Sequence, residues 1–391
     1  MKFNQWTLGL AAAGVVSLAS VAQGEEAASH VMTALSSTTL SGYVDTSAIW
    51  NFGSEESGDS VPGRSYDGAG KQDGFNLNVF KLRLEKPLAE GDWSAGYLVD
   101  LVFGPDGGVY DATGQHIKQA YVALRVPVGN GIDLKMGVFD TCLGYEVFDA
   151  GSNPNYSRSY AYGLEPTQHE GVLASYRVSD WLSLSAGVAN TGYGGAGGFG
   201  AGGIIGARSG RDTVKTYMGS VTLTAPDSMG FLKGSTLYLG AVDSGVAAAP
   251  GDKDIQNYYV GVTVPPPLEH LTVGAAFDLR KDFLVKGLDE TAVGIYASYQ
   301  ATEKLRFNGR AEWVEASGGP AGTAITGTGF DEILGLTLTV DYKLWDNVLS
   351  RLELRYDNGD FVPGAKAAFR GFSNGEKDDN LSLALNVIYK F

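Results

Sequence analysis

Between Leu381 and Phe391 apolar and polar side chains alternate almost without a break. Leu381, Leu383, Leu385, Val387, Tyr389 and Phe391 fall on one face, and Ser382, Ala384, Asn386 and Lys390 on the other. Successive side chains of a strand point to opposite faces, so this segment is a strand with one greasy and one mostly polar surface. Similar segments recur at 40–51, 80–86, 93–103, 118–126, 134–140, 172–178, 181–190, 217–225, 237–243, 257–264, 271–280, 291–300, 305–315, 334–342 and 348–357. With the terminal segment they predict about 16 strands, an even number as single-chain bacterial membrane barrels require.

Alternation alone fits a soluble sandwich with its greasy face in a core, or a membrane barrel with that face in lipid. The connections separate the two. Short turns at 89–91, 128–131, 179–180, 265–267 and 302–303 take turns with long loops at 53–73, 141–168, 191–212, 317–329 and 359–379. Short turns at one end and long loops at the other are the asymmetry of outer-membrane barrels. The expected fold is therefore an all-β transmembrane antiparallel barrel, wide enough to leave an aqueous lumen. Trp50, Trp93, Phe103, Trp181, Trp313, Tyr342 and Phe391 fall near strand ends on the greasy face, where rings favour the membrane–water boundary.

Composition agrees: 44% hydrophobic, 11% aromatic, 55 Gly and 13 Pro suit many short strands joined by turns. Residues 1–24 read as an export signal. Lys2 supplies the positive start, 8–21 an apolar run shorter than the ~20 residues of a spanning helix, and Ala22-Gln23-Gly24 a small-residue cut site after Gly24. A short tail, 25–37, then leads into one domain, 38–391. The net charge of −15 becomes −16 once Lys2 leaves, and such a balance excludes nucleic acid as a partner. Cys142 is the sole cysteine, so no internal disulfide forms.

Residues 137–141 (Gly-Val-Phe-Asp-Thr) are followed by Gly144-Tyr145-Glu146, then Asn153-Pro154-Asn155-Tyr156-Ser157-Arg158-Ser159 and Pro166-Thr167-Gln168-His169-Glu170-Gly171. This series resembles the OmpL-like β-barrel porin family. The opening Leu40-Ser41-Gly42-Tyr43-Val44-Asp45 is similar to the family's first strand, and the final Phe391 to the ending of outer-membrane proteins. Cys142 departs from the family, where an apolar residue is usual. The resemblance implies a porin of the bacterial outer membrane, passing small hydrophilic solutes and ions by passive diffusion, without a cofactor. Outer-membrane lipids and the barrel assembly machinery are the implied partners, and a homotrimer follows by analogy with general porins. A substrate-selective channel and a non-conducting structural or adhesive barrel are the alternatives.

Catalytic and metal chemistry finds little footing. His30, His116, His169 and His270 are scattered, and no HExxH, GxSxG, phosphate-loop or zinc spacing occurs. Gly194–Gly200 reads as flexible loop rather than phosphate cradle, and Glu55-Glu56 and 376–379 as solvated loop tips.

By resemblance to general porins, loop 141–168 folds into the lumen as a constriction, with Glu146 and Arg158 as a candidate pinning pair. Taking the greasy parity as lipid-facing puts Lys81, Arg83, Arg306, Arg310, Arg351 and Arg355 on the inner wall, in one sector. Asp140, Glu146, Asp149 and Glu165 belong to the loop. A basic wall facing an acidic loop across a narrow gap is the expected arrangement, unless Glu312, Glu353 and Asp357 neutralise the arginines along their own strands.

Overall fold

The computed structural model describes residues 38–52, 63–67, 71, 73–89, 93–110, 116–190, 215–245, 254–265, 268, 270–283, 286–318, 325, 329–362 and 377–391. The expected signal 1–24, its cut at Gly24, the tail 25–37, the glycine run 194–200 and Glu55-Glu56 lie outside the described residues.

Sixteen strands form the wall: β1 (Thr39–Asn51), β2 (Gly74–Lys86), β3 (Ser94–Phe103), β4 (Ile117–Val126), β5 (Ile132–Asp140), β6 (Gln168–Arg177), β7 (Leu182–Ala189) and β8 (Thr216–Thr224). The second half comprises β9 (Thr236–Gly245), β10 (Asp254–Val264), β11 (Leu271–Lys281), β12 (Leu288–Gln300), β13 (Leu305–Gly318), β14 (Phe330–Trp345), β15 (Val348–Phe361) and β16 (Asp379–Lys390). Each pairs antiparallel with its sequence neighbours, and β1 pairs with β16 from Tyr43↔Lys390 to Asn51↔Ser382. Closure leaves no edge strand, as backbone in lipid demands. Every predicted segment falls on a strand.

The alternation reports the lipid face correctly. On β14 Leu334, Leu336 and Leu338 are exposed while Ile333, Thr337 and Thr339 are buried, and β16 repeats the pattern with Leu381 and Leu385 against Ser382 and Asn386. Trp50, Trp93, Trp181 and Tyr342 project from this face near strand ends.

Two departures trace to bulges. Across β1 and β2, Asp45 pairs with Val79 and Thr46 with Leu77, so Asn78 is an extra residue and the parity of β2 breaks there. This is why the clean alternation begins only at Phe80. On β4 the register passes from Asp100↔Gln119 to Leu101↔Ile117, and the extra residue Lys118 turns inward beside Gln119.

The interior is not lined by water alone. Phe139, Leu173, Met218, Val242, Tyr259, Ala276 and Tyr296 are buried inward-facing side chains, and Cys142 and Leu143 of the β5–β6 connection pack onto them. Phe148, Ala150 and Tyr156 of that connection pack against Tyr43, Ile49, Val79, Val102 and Ile388. Its short helix α1 (Tyr160–Leu164) packs on Ala292, Val314, Phe330 and Ile333. One connection thus touches the inner wall of most of the barrel.

Candidate functional site

Residues 141–167 run from the end of β5 to the start of β6 inside the barrel. The loop folds first on itself. Gly144 has φ +105°, a conformation that L side chains rarely adopt, and a Cβ there would press on the Glu165 carboxyl group, so glycine suits the place where the two ends of the loop meet. Arg158 donates to the carbonyls of Val147 (3.0 Å), Tyr156 (2.7 Å) and Phe148, and sits over the Tyr66 ring. Ser159 caps α1 by accepting from the Tyr162 amide at 3.2 Å.

The wall of β13–β15 then grips the folded loop. Arg310 donates to Glu146 (2.8 Å) and to the Ser157 carbonyl (2.8 Å). Arg351 donates to the carbonyls of Ala150 (2.6 Å) and Asn153 (2.8 Å) and pairs with Asp341 at 3.1 Å. Arg355 donates to the Arg158 carbonyl (2.6 Å) and pairs with Glu312 (3.2 Å) and Asp357 (3.0 Å). Carboxylates work in the other direction: Glu353 accepts the amides of Tyr156 (2.6 Å) and Ser157 (3.1 Å), and Glu312 that of Tyr160 (2.6 Å). The arginines spread five fixed N–H donors over carbonyl and carboxylate targets at once, a task a lysine cannot do.

A second group holds the opposite side. Lys81 bridges Asp149 (2.8 Å) and Asp100 (3.1 Å), Arg83 binds Asp100 through two 2.7 Å bonds, and Lys118 binds Asp140 through two of 2.6 Å. Burial tends to raise the Asp149 carboxyl, but Lys81, Lys118 and Arg83 outweigh it and hold the group at about 2. Burial pushes the Cys142 thiol up to about 12, so it is a packed thiol and not a nucleophile.

The inner parity therefore places Lys81, Arg83, Arg310, Arg351 and Arg355 inward, and it brings Asp140, Glu146, Asp149, Arg158 and Glu165 to the same loop assembly. Arg306 sits at the rim, its side chain 36% exposed, paired with Asp341. The geometry differs from a basic wall facing an acidic loop across water. Arg310, Arg351 and Arg355 lie beneath the loop with side chains 0–1% exposed; Glu312 and Asp357 neutralise Arg310 and Arg355, and Asp341 neutralises Arg351, together with loop groups. The physical reason is the loop's own backbone, whose turns present carbonyls that the guanidinium groups satisfy directly. Glu146 and Arg158 do not pair either: Glu146 takes Arg310 and the Ser159 amide (2.8 Å), while Arg158 is spent on carbonyls. Sequence reasoning also passed over Lys118, which only a bulge turns inward, and Arg64, which reaches Asp357 and Ser382 from the first long connection. Nothing in the local pattern around Arg64 signals an inward residue.

With the loop pressed toward β13–β15, a cavity of about 350 Å³ remains on its other side. Arg83, Glu85, Lys118, Gln119 and Lys135 line it from β2, β4 and β5, and Tyr238, Tyr259 and Thr263 from β9 and β10. Among the described residues no helix is long and apolar enough to cross a membrane, and no group of three or more His, Cys, Asp or Glu is placed to hold a metal.

Comparison with known proteins agrees with this architecture. The outer-membrane channel DcaP of Acinetobacter baumannii superposes with a TM-score of 0.59 at 13% identity, over 94% of this chain and 100% of that one. An anion-selective porin from Comamonas acidovorans gives 0.57 at 14% identity, over 91% and 99%. OmpT of Vibrio cholerae in its trimer form gives 0.55 at 14%, over 90% and 99%. These identities speak to the fold alone. No curated protein matches the chain by sequence. A family model described as beta-barrel porin-2, OmpL-like, matches residues 37–391, and the chain is a member of that porin family, a channel-forming barrel of the bacterial outer membrane.

Proposed function

We propose that this porin passes small hydrophilic solutes and ions by diffusion through the cavity beside the locked loop, with residues 141–167 as the constriction. The observation that carries the reading is uneven anchoring: the densest set of clamps on the loop comes from one sector of the wall, while Lys81, Tyr238 and Asn257 add lighter bonds from elsewhere. The arginines of β13 and β15 and the carboxylates Glu312 and Glu353 hold the loop against one wall, and the polar cavity lies along the other. Arg83 with Asp100 and Lys118 with Asp140 are mutually neutralised along that cavity, which supports weak rather than strong ion selectivity. Apolar solutes would have to strip water from these groups without replacing its hydrogen bonds.

On this reading the protein is a channel and not an enzyme. It is exported with cleavage at Gly24, inserted by the barrel assembly machinery into outer-membrane lipids, and assembled as a homotrimer, for which the trimeric relative is the support. Purified protein in a planar bilayer should give discrete open-channel steps at neutral pH. A folded barrel that inserts and stays electrically silent would leave a structural or adhesive role instead. Steps that a particular class of solute blocks in a saturable way would favour the substrate-selective alternative.

A further inference from the structure

Glu165, the last residue before Pro166, and Asp278 on β11 meet inside the barrel. Both are buried, and each lies among the other's principal electrostatic neighbours, in hydrogen-bonding contact. No described lysine or arginine pairs with either. Arg280, two residues along β11, is committed to Glu290 at 2.7 Å and to the Gly163 carbonyl at 3.3 Å, and Arg310 to Glu146. The Asp278 Oδ2 has no partner that can donate to it. The other titratable groups facing the pair are Glu146 of the loop and Tyr259 of β10, neither of them cationic. Two adjacent carboxylates in such surroundings cannot both be ionised, because neither solvent nor a counter-charge offsets their repulsion.

We propose that Glu165 and Asp278 form a proton-dependent latch: at least one proton, held between the two carboxyls, ties the C-terminal end of the constriction loop to β11. This deepens the channel reading and rests on it. Three features make the latch consequential. Glu165 touches Gly144, so it joins both ends of the loop. It borders the cavity, so lumen water can take up the released proton. And this end of the loop is held by two single bonds, from Arg280 to the Gly163 carbonyl at 3.3 Å and from Asn257 to that of Leu164 at 2.8 Å, against the multiple arginine contacts on the far side.

Burial first, and the Asp278 carboxylate second, push the Glu165 carboxyl well above the usual carboxylate range. The unfolded chain would release this proton near pH 4–5, so between there and the raised folded value the folded state binds more protons. The latch is intact through that interval and is lost as pH rises beyond it. Ionised Glu165 then places negative charge at the cavity wall, and the cation-to-anion permeability ratio should rise by roughly twofold or more.

The test is the zero-current potential in a salt gradient, scanned from pH 6 to pH 10 for the full protein, Glu165→Gln and Asp278→Asn. The parent channel should show an alkaline step toward cations. Glu165→Gln should lack it, because the amide keeps donating to Asp278 at every pH. Asp278→Asn should likewise remove the step, or move it downward. Identical profiles for all three overturn the proposal. Should the variants fail to insert, infrared spectra of the parent decide: a protonated-carboxyl band that persists at neutral pH and disappears in the alkaline range is expected, and its absence overturns the latch. A step that calcium shifts at constant pH would mean that the pair holds a metal ion, and the latch falls, whereas a barrel that never conducts would fail the channel reading itself.

Discussion

Replacing Arg310, Arg351 and Arg355 together with Ser should release the loop rather than merely retune selectivity. Each arginine is buried, and each loss takes a partner from groups that are themselves buried: Glu146 and Glu312 for Arg310, two loop carbonyls and Asp341 for Arg351, Glu312 and Asp357 for Arg355, with Asp341 and Asp357 keeping only Arg306 and Arg64, respectively, among the described residues. Removing one member of a buried pair typically costs about 3–5 kcal/mol, since the other charge stays behind unpaired. Arg310 and Arg355 share Glu312 and the Ser157–Arg158 segment, so their costs will not add. The triple variant should unfold at markedly lower urea than the parent. In channels that still insert, steps should be larger and noisier, with selectivity moved toward cations by the stranded carboxylates. An unchanged unfolding midpoint together with quiet, parent-sized steps would mean that these arginines do not hold the loop.

On the outer surface, Leu338→Arg should be among the most damaging single exchanges. Leu338 is 65% exposed near the middle of β14, flanked on its face by Leu336 and Val340. A charge at the bilayer midplane of a barrel costs about 2–4 kcal/mol, falling to about 0–1 near the interfaces. Phe75→Arg serves as the control, because Phe75 is even more exposed but sits at the end of β2 that joins the first long connection. Unfolding in vesicles should separate the two variants clearly. Equal stability would show that the apolar belt of β14 does not face lipid.

The outer face of this barrel is written in the sequence because lipid imposes a single rule on it. Leu334, Leu336 and Leu338, or Leu381, Leu383 and Leu385, must all be apolar, so a period of two survives across whole strands. The inner face obeys no such rule. Lys81, Arg310, Arg351 and Arg355 share it with Leu173, Met218, Val242 and Ile333, because what fills the lumen is decided by a loop packing from elsewhere. Parity could place the arginines inside, but it could not say whether they meet water or carbonyl oxygens. That depends on how residues 141–167 turn, through Gly144, the Asn153 side chain bonding both the amide and the carbonyl of Val147, and Arg158 on three carbonyls. Bulges set a further limit: a single extra residue, Asn78 or Lys118, reverses the face of its neighbours, and no composition signal marks it. The motif running from 137 to 171 was legible as a unit because the loop's fold and both of its strand anchors lie within it.

The loop, locked against β13–β15, leaves the proposed aqueous path along β2, β4 and β5. Thiol accessibility in open channels tests it most directly, in a Cys142→Ser background. Glu85→Cys lies at the cavity wall, whereas Thr339→Cys lies under the loop, where Thr339 contacts Asn155 and Glu353 at 2.7 and 2.8 Å. A charged methanethiosulfonate reagent added to a conducting channel should reduce the current in discrete steps at Glu85→Cys and leave Thr339→Cys untouched. Block at Thr339→Cys with silence at Glu85→Cys, or equal reaction at both, would contradict the account.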